Sequence, residues 1–573
     1  PAGAPDPGAT PRAQTAAGLE MPRIPALAAR LLDAGSVARA SNAWVIGGGR
    51  TRSGRPILAN DMHLALSAPA LWHLAALHGG RIQVVGMTLP GAPAVVAGHS
   101  ARVAWGFTNA MVDDVDFFVE QVDPRDSTRY RTPAGWQRFA VRAETIRVKG
   151  AEPVVHRVRS TRHGPVLSDV DPRGAGRVLA MRWTALEPTH ETRALLGMNR
   201  ARSAEEFLAA LRGFDNPHQN VVFADAAGTI GYWLAGRVPV RRSGDGLLPV
   251  PGWTGEGDWV RYLAFDEHPH ALDPGEGFLV TANNRQAGPE YPFQLSTQWA
   301  PPFRALRIRE MILAGRGLTA EDVARQQMDV RDALAVRYLP LAVRAARAAG
   351  DSAAARELRD WDARARADSH AAALFYLWYE ALRRRVGDDE YGGQDVFFPR
   401  GAFNHLLDTG DGAWVDDVRT PGRETLDQLG AAALRDAVAL RQQRSWGELL
   451  SVEMAHSLGS VPLLERPLRL NIGPFPSGGS PNTVNVAYHG GLLPFVSTWG
   501  ASQRHVVDLA DPDGAGGFIL PTGQSGLPFA RHYRDQTPLW REGRLWRLPL
   551  APEAARARAV ARAVLRPASA ASP

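Results

Sequence analysis

The alternation of short apolar runs and turn residues predicts strands near both ends of the chain. After residues 1–40, an apolar run over 43–46 lies just behind Ser41 and is typical of a buried strand that begins at a serine. From there to about Val122, further short runs such as 82–85 are separated by turns that contain glycine and proline. Glycine-rich short runs return after Pro467. The sequence therefore predicts two strand-rich segments.

The middle of the chain has a helical pattern instead. Apolar side chains recur every three or four residues, as expected for helices that bury one face, at 302–315, 333–385 and 425–444. A charged helix rich in alanine and arginine is expected over 552–565. By contrast, the first 18 residues are rich in Pro, Gly, Ala and Thr and cannot build a packed core, so we expect a flexible segment there.

The composition excludes several classes of site. The 573 residues include no cysteine, which rules out disulfides and thiolate metal sites but does not decide the compartment. The formal net charge is +6, yet arginines alternate with acidic residues instead of forming a basic stripe. This pattern argues against a dedicated nucleic-acid surface. No apolar stretch is long enough to span a bilayer.

Ser41 is the first candidate catalytic residue, because a serine at the head of a strand can become a new N-terminus. Cleavage after Ala40 would place a free α-amine beside a primary hydroxyl, so one residue would supply both nucleophile and general base. A serine in this position is more often a turn residue. However, the chain has no G-x-S-x-G elbow, H-E-x-x-H helix or Walker phosphate loop that would compete with Ser41.

Several separated motifs follow Ser41. Their segments are, in chain order, 54–64, 98–100, 105–116, 219–225, 281–285, 301–304, 471–476, 483–485 and 523–536. The order of these motifs resembles that of the penicillin acylase family of N-terminal-nucleophile hydrolases, which includes acyl-homoserine-lactone, cephalosporin and aculeacin acylases. Each motif is weak by itself, whereas their shared order is specific. The resemblance covers nearly everything from Ser41 onward.

The resemblance implies an α+β fold, a four-layer αββα sandwich with a helical insertion at about 302–446. It also implies that residues 1–40 are the end of a spacer before the cleavage site and that 41–573 are the acylase β-chain. The family's non-catalytic α-chain, made from the same precursor, is the expected partner, and we expect the chain to be a fragment of that precursor or to lack its partner. A periplasmic or secreted location is implied in the same way.

Three of the implied catalytic positions act directly on the amide. Ser41 would attack the carbonyl of Ala40 to release its own amine, and would then attack the substrate. The negative charge on the former carbonyl oxygen would be held by the backbone N–H of Asn109 and the side chain of Asn283. The family usually carries glycine where this chain has Ala40.

Two further residues are implied as supports of the site. His63 matches a histidine of acyl-homoserine-lactone and cephalosporin acylases, and we expect it to orient Ser41 by a hydrogen bond. Arg304 matches an arginine that helps to place Asn283. The alternatives are a structural histidine that binds a loop carbonyl and an ordinary arginine in a salt bridge.

A calcium site is also implied by the resemblance. Asp113, Val115 and Asp116 match a loop that binds calcium in penicillin G acylases, where carboxylate and carbonyl oxygens suit Ca²⁺. A further aspartate of the family pattern is absent after Pro292. The role would be structural, and the alternative is a pair of aspartates that cap a loop.

Two positions bear on the substrate. Leu64 and Ala97 stand where penicillin G acylases carry phenylalanines, so the acyl pocket is expected to be deeper or wider. A long apolar pocket favours fatty acyl chains, because each buried methylene contributes about 0.8 kcal/mol. The expected substrates are acyl-homoserine lactones or lipopeptides, and a β-lactam side chain is the alternative. A catalytically dead family member that acts as a binding protein, and a polyanion-binding protein, are alternatives from other classes.

Overall fold

The structure is a computed structural model that describes residues 40–170, 176–387, 389, 399–410, 414–417, 419–489 and 493–565. The predicted spacer therefore lies outside the described residues, except for Ala40. The described residues form two compact units. The smaller unit contains Asp114–Leu186 and Arg241–Val260, and the larger unit contains residues 40–113, 187–240 and 261–565.

Strands occupy most of the first half of the chain and return near its end, whereas the pattern of apolar runs predicts them only to about Val122 and after Pro467. Their bounds are β1 Ala40–Ile46, β2 Ile57–Ala65, β3 His73–Gly79, β4 Ile82–Thr88, β5 Ala97–His99, β6 Val103–Asn109, β7 Val115–Glu120, β8 Val122–Asp123, β9 Asp126–Thr132, β10 Gly135–Arg138, β11 Ala140–Ile146, β12 Val154–Thr161, β13 Gly164–Pro165, β14 Val178–Trp183, β15 Gln219–Asp225, β16 Ile230–Ala235, β17 Pro239–Arg241, β18 Val250–Pro251, β19 Trp259–Tyr262, β20 His270–Leu272, β21 Phe278–Thr281, β22 Leu450–Met454, β23 Ile472–Pro476, β24 Phe495–Ser497, β25 Trp499–Ala501, β26 Arg504–Asp508 and β27 Gly516–Ile519.

Most helices lie between β21 and β22. In the part of the chain that is described, no helix is both long and apolar enough to cross a membrane. The helices are α1 Glu191–Met198, α2 Ala204–Leu211, α3 Phe303–Ala314, α4 Ala320–Gln327, α5 Ala333–Ala348, α6 Ser352–Arg359, α7 His370–Gly387, α8 Arg400–Thr409, α9 Leu426–Arg441, α10 Trp446–Leu449, α11 Pro462–Leu468, α12 Thr537–Glu542 and α13 Pro552–Ala557.

One antiparallel sheet of the larger unit joins strands from distant parts of the sequence. Its order is β21-β1-β2-β26-β27, and β25 also pairs with β2. The register places Ser41 opposite Met62, Ala43 opposite Thr281 and Asn60 opposite His505. The strand that begins at Ala40 is therefore held between a partner close in sequence and one more than 200 residues away.

A second antiparallel sheet of the larger unit has the order β20-β16-β15-β6-β5-β4-β3. The two sheets share an apolar cluster in which Val45 and Leu58 of the first sheet are buried with Val222 of the second. The side chain of Asn60 on β2 also donates to the carbonyl oxygen of Phe107 on β6 at 2.9 Å. Apolar packing and a hydrogen bond thus both join the sheets.

Helices cover the other faces of both sheets. Because side chains alternate along a strand, Trp44 points away from Val45, and it is buried in a cluster with Ile308 and Ile312 of α3. On the second sheet, Phe223 is buried with Phe207 of α2. Burial on both faces explains why residues 43–46 of β1 are all apolar instead of alternating between apolar and polar.

The smaller unit was not predicted from the sequence. It contains three-stranded sheets with the orders β10-β9-β8, β11-β12-β13 and β14-β7-β18. A small apolar cluster of Tyr130, Phe139 and Val166 lies within it. The prediction of one β-chain domain over 41–573 with a helical insertion at about 302–446 stays a prediction.

Candidate active site

Ser41 lies on β1 with its side chain buried, and the chain runs through it without a break. Its backbone N–H donates to Oδ1 of Asn283 at 2.6 Å. Its hydroxyl donates to the carbonyl oxygen of Ala40, also at 2.6 Å. Both atoms that a nucleophilic N-terminal serine would use are therefore fixed, and the hydroxyl lies beside the carbonyl that it would attack during cleavage.

Asn283 follows β21 by two residues and is completely buried. Its φ of +63° is in the left-handed region, which asparagine tolerates better than most residues. Oδ1 accepts from Ser41 and from Nη2 of Arg304, whereas Nδ2 donates to the carbonyl oxygen of Asn109 at 2.9 Å. Two donors on one side and an acceptor on the other fix the orientation of the amide.

Arg304 lies in the first turn of α3 and is 2% exposed. Its guanidinium donates to the carbonyl oxygens of Ser41 and Ala282, both at 2.7 Å, and to the side chain of Asn42. Burial lowers the pKa of Arg304 to about 10, against the opposing effect of Asp61. Within the described residues it forms no salt bridge with a carboxylate, so the ordinary salt-bridge alternative does not describe this residue.

Asn109 ends β6, and its carbonyl oxygen accepts two side-chain amides. One comes from Asn283, and the other comes from Nδ2 of Asn220 at 3.2 Å. The hydroxyl of Tyr232 in turn donates to Oδ1 of Asn220 at 2.8 Å. The structure thus brings Asn109 and Asn283 together, although their implied roles as oxyanion donors stay predictions.

His63 lies directly opposite Ala40 in the register of β1 and β2. Its Nε2 is 2.6 Å from Oδ2 of Asp61, and its buried Nδ1 has no hydrogen-bond partner among the described residues. Burial lowers the pKa of His63, although the contact with Asp61 opposes that shift. In the uncut chain His63 therefore contacts Asp61, whereas the expected hydrogen bond to Ser41 stays a prediction.

Sequence reasoning missed Asp61 and Asn42 as parts of this site. Asn42 donates to Oδ2 of Asp61 at 2.9 Å and accepts from Arg304, so it connects Arg304 to the partner of His63. A signal was present, because Asp61 and His63 are two residues apart on a strand and must share a face. Asn42 adjoins Ser41, but only the pairing of β1 with β2 places it beside Asp61.

The two proposed pocket residues belong to the same apolar cluster. Ala97 on β5 is completely buried, and Leu64 near the end of β2 is partly buried against that cluster. Met62, which pairs with Ser41 across the sheet, is another member. An apolar region therefore extends from the strand position opposite Ser41 to both predicted pocket residues.

Asp116, one of the three residues of the predicted calcium site, is bound to an arginine. Both carboxylate oxygens of Asp116 accept from Arg241, at 2.8 and 2.9 Å, and Oδ2 also accepts from the indole of Trp259. The backbone N–H of Asp113 donates to the carbonyl oxygen of Leu295. Among the described residues, no group of three or more His, Cys, Asp or Glu side chains could hold a metal ion. Calcium binding stays a prediction, and one that Arg241 opposes.

Comparisons with known proteins agree with the motif order. The sequence model of the penicillin amidase family matches residues 8–557. The chain is 32% identical over 570 residues to acyl-homoserine lactone acylase QuiP of Pseudomonas aeruginosa, covering 90% of this chain and 67% of that protein. It is 31% identical over 521 residues to the penicillin acylase 2 proenzyme of Pseudomonas sp. strain SE83, covering 87% and 66%.

A solved structure shows the same fold. The thermostable penicillin G acylase from Alcaligenes faecalis superposes with a TM-score of 0.67 at 21% sequence identity, covering 92% of this chain and 99% of that one. The chain spans about two thirds of the length of the two curated relatives. The family match over most of the sequence establishes that the chain belongs to the penicillin amidase family of amidohydrolases.

Proposed function

We propose that this protein hydrolyses a linear amide through an acyl-enzyme on Ser41, after autocatalytic cleavage has made Ser41 an N-terminus. The observation that carries the proposal is the contact between Ser41 and Asn283. The same asparagine side chain accepts from the N–H of Ser41 and donates toward Asn109, so nucleophile and proposed oxyanion donors form one connected group.

Cleavage would begin from the arrangement in the uncut chain. Oγ of Ser41 forms a bond to the carbonyl carbon of Ala40 as the C–N bond between the two residues breaks, and the hydroxyl proton passes to the departing nitrogen. Water then hydrolyses the ester, which leaves a carboxylate on Ala40 and restores the hydroxyl of Ser41. The bond between Ser41 N–H and Asn283 holds the scissile peptide in place during these steps.

Turnover would repeat this chemistry on a substrate amide. The free α-amine, with a reference pKa of about 7.7 to 8.0, takes the hydroxyl proton as Oγ attacks, and passes it to the leaving amine. The oxyanion is held by the backbone N–H of Asn109 and by Nδ2 of Asn283. Nδ2 has two hydrogens and uses one for Asn109, so the second is available for the oxyanion. Water then releases the acyl group as a carboxylic acid.

The proposed substrates are N-acyl compounds with an extended apolar acyl group, such as acyl-homoserine lactones or lipopeptides. The apolar cluster around Leu64 and Ala97 supports this choice, and so does the name of the Pseudomonas aeruginosa relative. A β-lactam side-chain amide is the second candidate, favoured by the similarity to a penicillin acylase proenzyme.

We propose that the two sheets and the helices on their outer faces form the four-layer αββα sandwich of N-terminal-nucleophile hydrolases. The proposed partner is the α-chain of the same precursor, which accords with the word proenzyme in the name of one relative. The proposed location is the periplasm or the exterior.

The test compares the full-length precursor with its Ser41→Ala variant and a Ser53→Ala control. Ser53 is an exposed serine on the turn between β1 and β2. Intact mass and N-terminal sequencing should find a chain that starts at Ser41 in the wild type and the control, and only uncut protein in Ser41→Ala. The cut proteins should release free amine from N-decanoyl homoserine lactone faster than from penicillin G. Cleavage or normal turnover by Ser41→Ala would refute the mechanism.

A further inference from the structure

Asp61 is a completely buried carboxylate on β2, on the strand face that carries His63. Its Oδ2 lies 2.6 Å from Nε2 of His63 and accepts from Asn42 at 2.9 Å. Gln327 of α4 approaches Oδ1 at 3.5 Å. The carboxylate thus has polar partners on both oxygens, and they come from β1, β2 and α4.

The contact with Asp61 determines which nitrogen of His63 carries the proton. A carboxylate only accepts hydrogen bonds, so Nε2 must donate its hydrogen. The opposite tautomer would place two lone pairs 2.6 Å apart and would also leave an unpaired N–H at the buried Nδ1. The neutral Nε2–H form avoids both penalties, and it leaves Nδ1 as an acceptor without a partner.

The register of the sheet indicates what this acceptor binds. His63 lies directly opposite Ala40, the residue that the proposed cleavage removes from the N-terminal side of Ser41. Cleavage converts the amide nitrogen of Ser41 into an amine. This amine adjoins the place that Ala40 occupied before cleavage. An amine has hydrogens to donate, and the residue that pairs with Ala40 carries a buried acceptor without a partner among the described residues.

We propose that Asp61 is a positioning residue that holds His63 as the Nε2–H tautomer, so that Nδ1 accepts from the α-amine of Ser41 after cleavage. The inference rests on the proposed function. A hydrogen bond from the amine to Nδ1 turns the lone pair of the amine toward the hydroxyl, and it stabilises the ammonium that forms when the amine takes the hydroxyl proton.

Asp61 also influences the protonation of two buried arginines. The buried guanidinium of Arg304 is bound to Asn42, which also binds Asp61. Arg504 of β26 is buried as well, and its guanidinium donates to the carbonyl oxygen of Trp540 and to the side chain of Asn485. Asp61 is the carboxylate whose charge favours the protonated form of both arginines.

The tautomer can be tested without catalysis, on the uncut Ser41→Ala chain within the full-length precursor. Solid-state NMR of protein labelled with ¹⁵N-histidine distinguishes protonated from unprotonated ring nitrogens, and a His63→Gln variant assigns the signal. We expect Nε2 protonated and Nδ1 unprotonated at pH 7, with this preference reduced in Asp61→Asn. A protonated Nδ1, or a spectrum that Asp61→Asn leaves unchanged, would overturn the inference.

A double-mutant cycle tests the effect on turnover. The rate of cut protein on N-decanoyl homoserine lactone, normalised to the cut fraction by intact mass, should fall roughly tenfold or more in Asp61→Asn, but less than about twofold when Asp61→Asn is added to His63→Gln. Equal losses in both backgrounds would show that Asp61 does not act through His63.

The control for burial alone is Asp332→Asn. Asp332 is also completely buried and accepts from Ser480 and Tyr376, away from Ser41. It should lower the melting temperature but leave the turnover of folded protein and the His63 signal unchanged. If wild-type protein is neither cut nor active, the proposed function fails while the NMR experiment still tests Asp61. If the wild type is active and the cycle is additive, only this inference fails.

Discussion

The carbonyl oxygen of Asn109 accepts a hydrogen bond from Nδ2 of Asn283 across 2.9 Å. Asn109 is the last residue of β6 in one sheet, whereas Asn283 follows β21 of the other sheet. The two residues are 174 positions apart. Because Oδ1 of Asn283 also accepts from Ser41 and Arg304, the amide cannot turn without breaking contacts on both sides. The side-chain amide of Asn283, one of the two proposed oxyanion donors, is thus held in one orientation before any substrate binds.

Asn283→Ala should reduce turnover by on the order of a hundredfold or more, because one donor to the oxyanion is lost. The measurement is the rate of amine release per cut chain, with the cut fraction found by intact mass. The matched control is Asn284→Ala, since the side chain of Asn284 contacts Ala282, Arg285 and Gln286 and makes no contact with Ser41. An unimpaired rate in Asn283→Ala would remove this residue from the oxyanion site.

Gly106→Ala should destabilise the larger unit, because a Cβ at Gly106 would lie 2.7 Å from Cβ of Asn60 on the facing sheet. Relief of the clash requires Asn60 to move and to weaken its hydrogen bonds with Phe107. We expect a loss of about 1 to 3 kcal/mol in the free energy of unfolding, measured by urea titration. Gly79→Ala is the control, since a Cβ there meets nothing within 4 Å. Equal stability of the two variants would contradict the close approach of the sheets.

Because His505 is buried, we expect the free energy of unfolding to decrease as the pH falls. The residue is completely buried, and burial lowers its pKa from 6.5 to about 3, helped by the nearby His99. Between those values the unfolded chain binds a proton that the folded chain does not. The free energy of unfolding should therefore decrease by up to about 1.4 kcal/mol per pH unit from this group as the pH drops below 6.5. Urea titrations from pH 7 to 4.5 should show a shallower slope for His505→Gln, and equal slopes would contradict this account.

Chelation should leave the melting temperature of the wild type unchanged, because the guanidinium of Arg241 already neutralises Asp116. Arg241→Met should lower the melting temperature, since it leaves a buried carboxylate without its counter-charge. Added Ca²⁺ should recover part of that loss. The measurement is thermal unfolding with EDTA and with excess Ca²⁺. A clear drop in the wild type with EDTA would restore the calcium site that the sequence resemblance implies.

Local patterns in the sequence were sufficient for the strand at Ser41, since its apolar run and the turn after it depend only on nearby residues. The contact of Ser41 with Asn283 could not come from such patterns, because it depends on the pairing of β1 with a strand about 240 residues away. The resemblance to a family supplied that pair instead. Asp61 was missed because a lone aspartate on a strand has many ordinary roles, and only the distance to His63 distinguishes it.

The smaller unit could not be predicted from the sequence either. Its strands over 115–183 were not separated from the rest by any change in composition. The apolar side chains of β11, and Val154 and Val155 of β12, are exposed rather than buried. The engagement of Asp116 by Arg241 likewise joins residues 125 positions apart. The sequence similarity to a calcium loop therefore identified the aspartates but did not reveal the guanidinium that binds one of them.

The sheet that holds Ser41 has a consequence for biosynthesis. Gln503 approaches Asn60 across a separation of 443 residues, and β26 must pair with β2 to complete the sheet beside the site. At a synthesis rate of about 5 to 20 residues per second, the ribosome needs roughly 20 to 90 seconds to add that much chain. Ser41 therefore emerges long before its surroundings can form. The nascent chain would therefore not cut itself during synthesis, and the proposed cleavage would occur only after β26 has paired with β2.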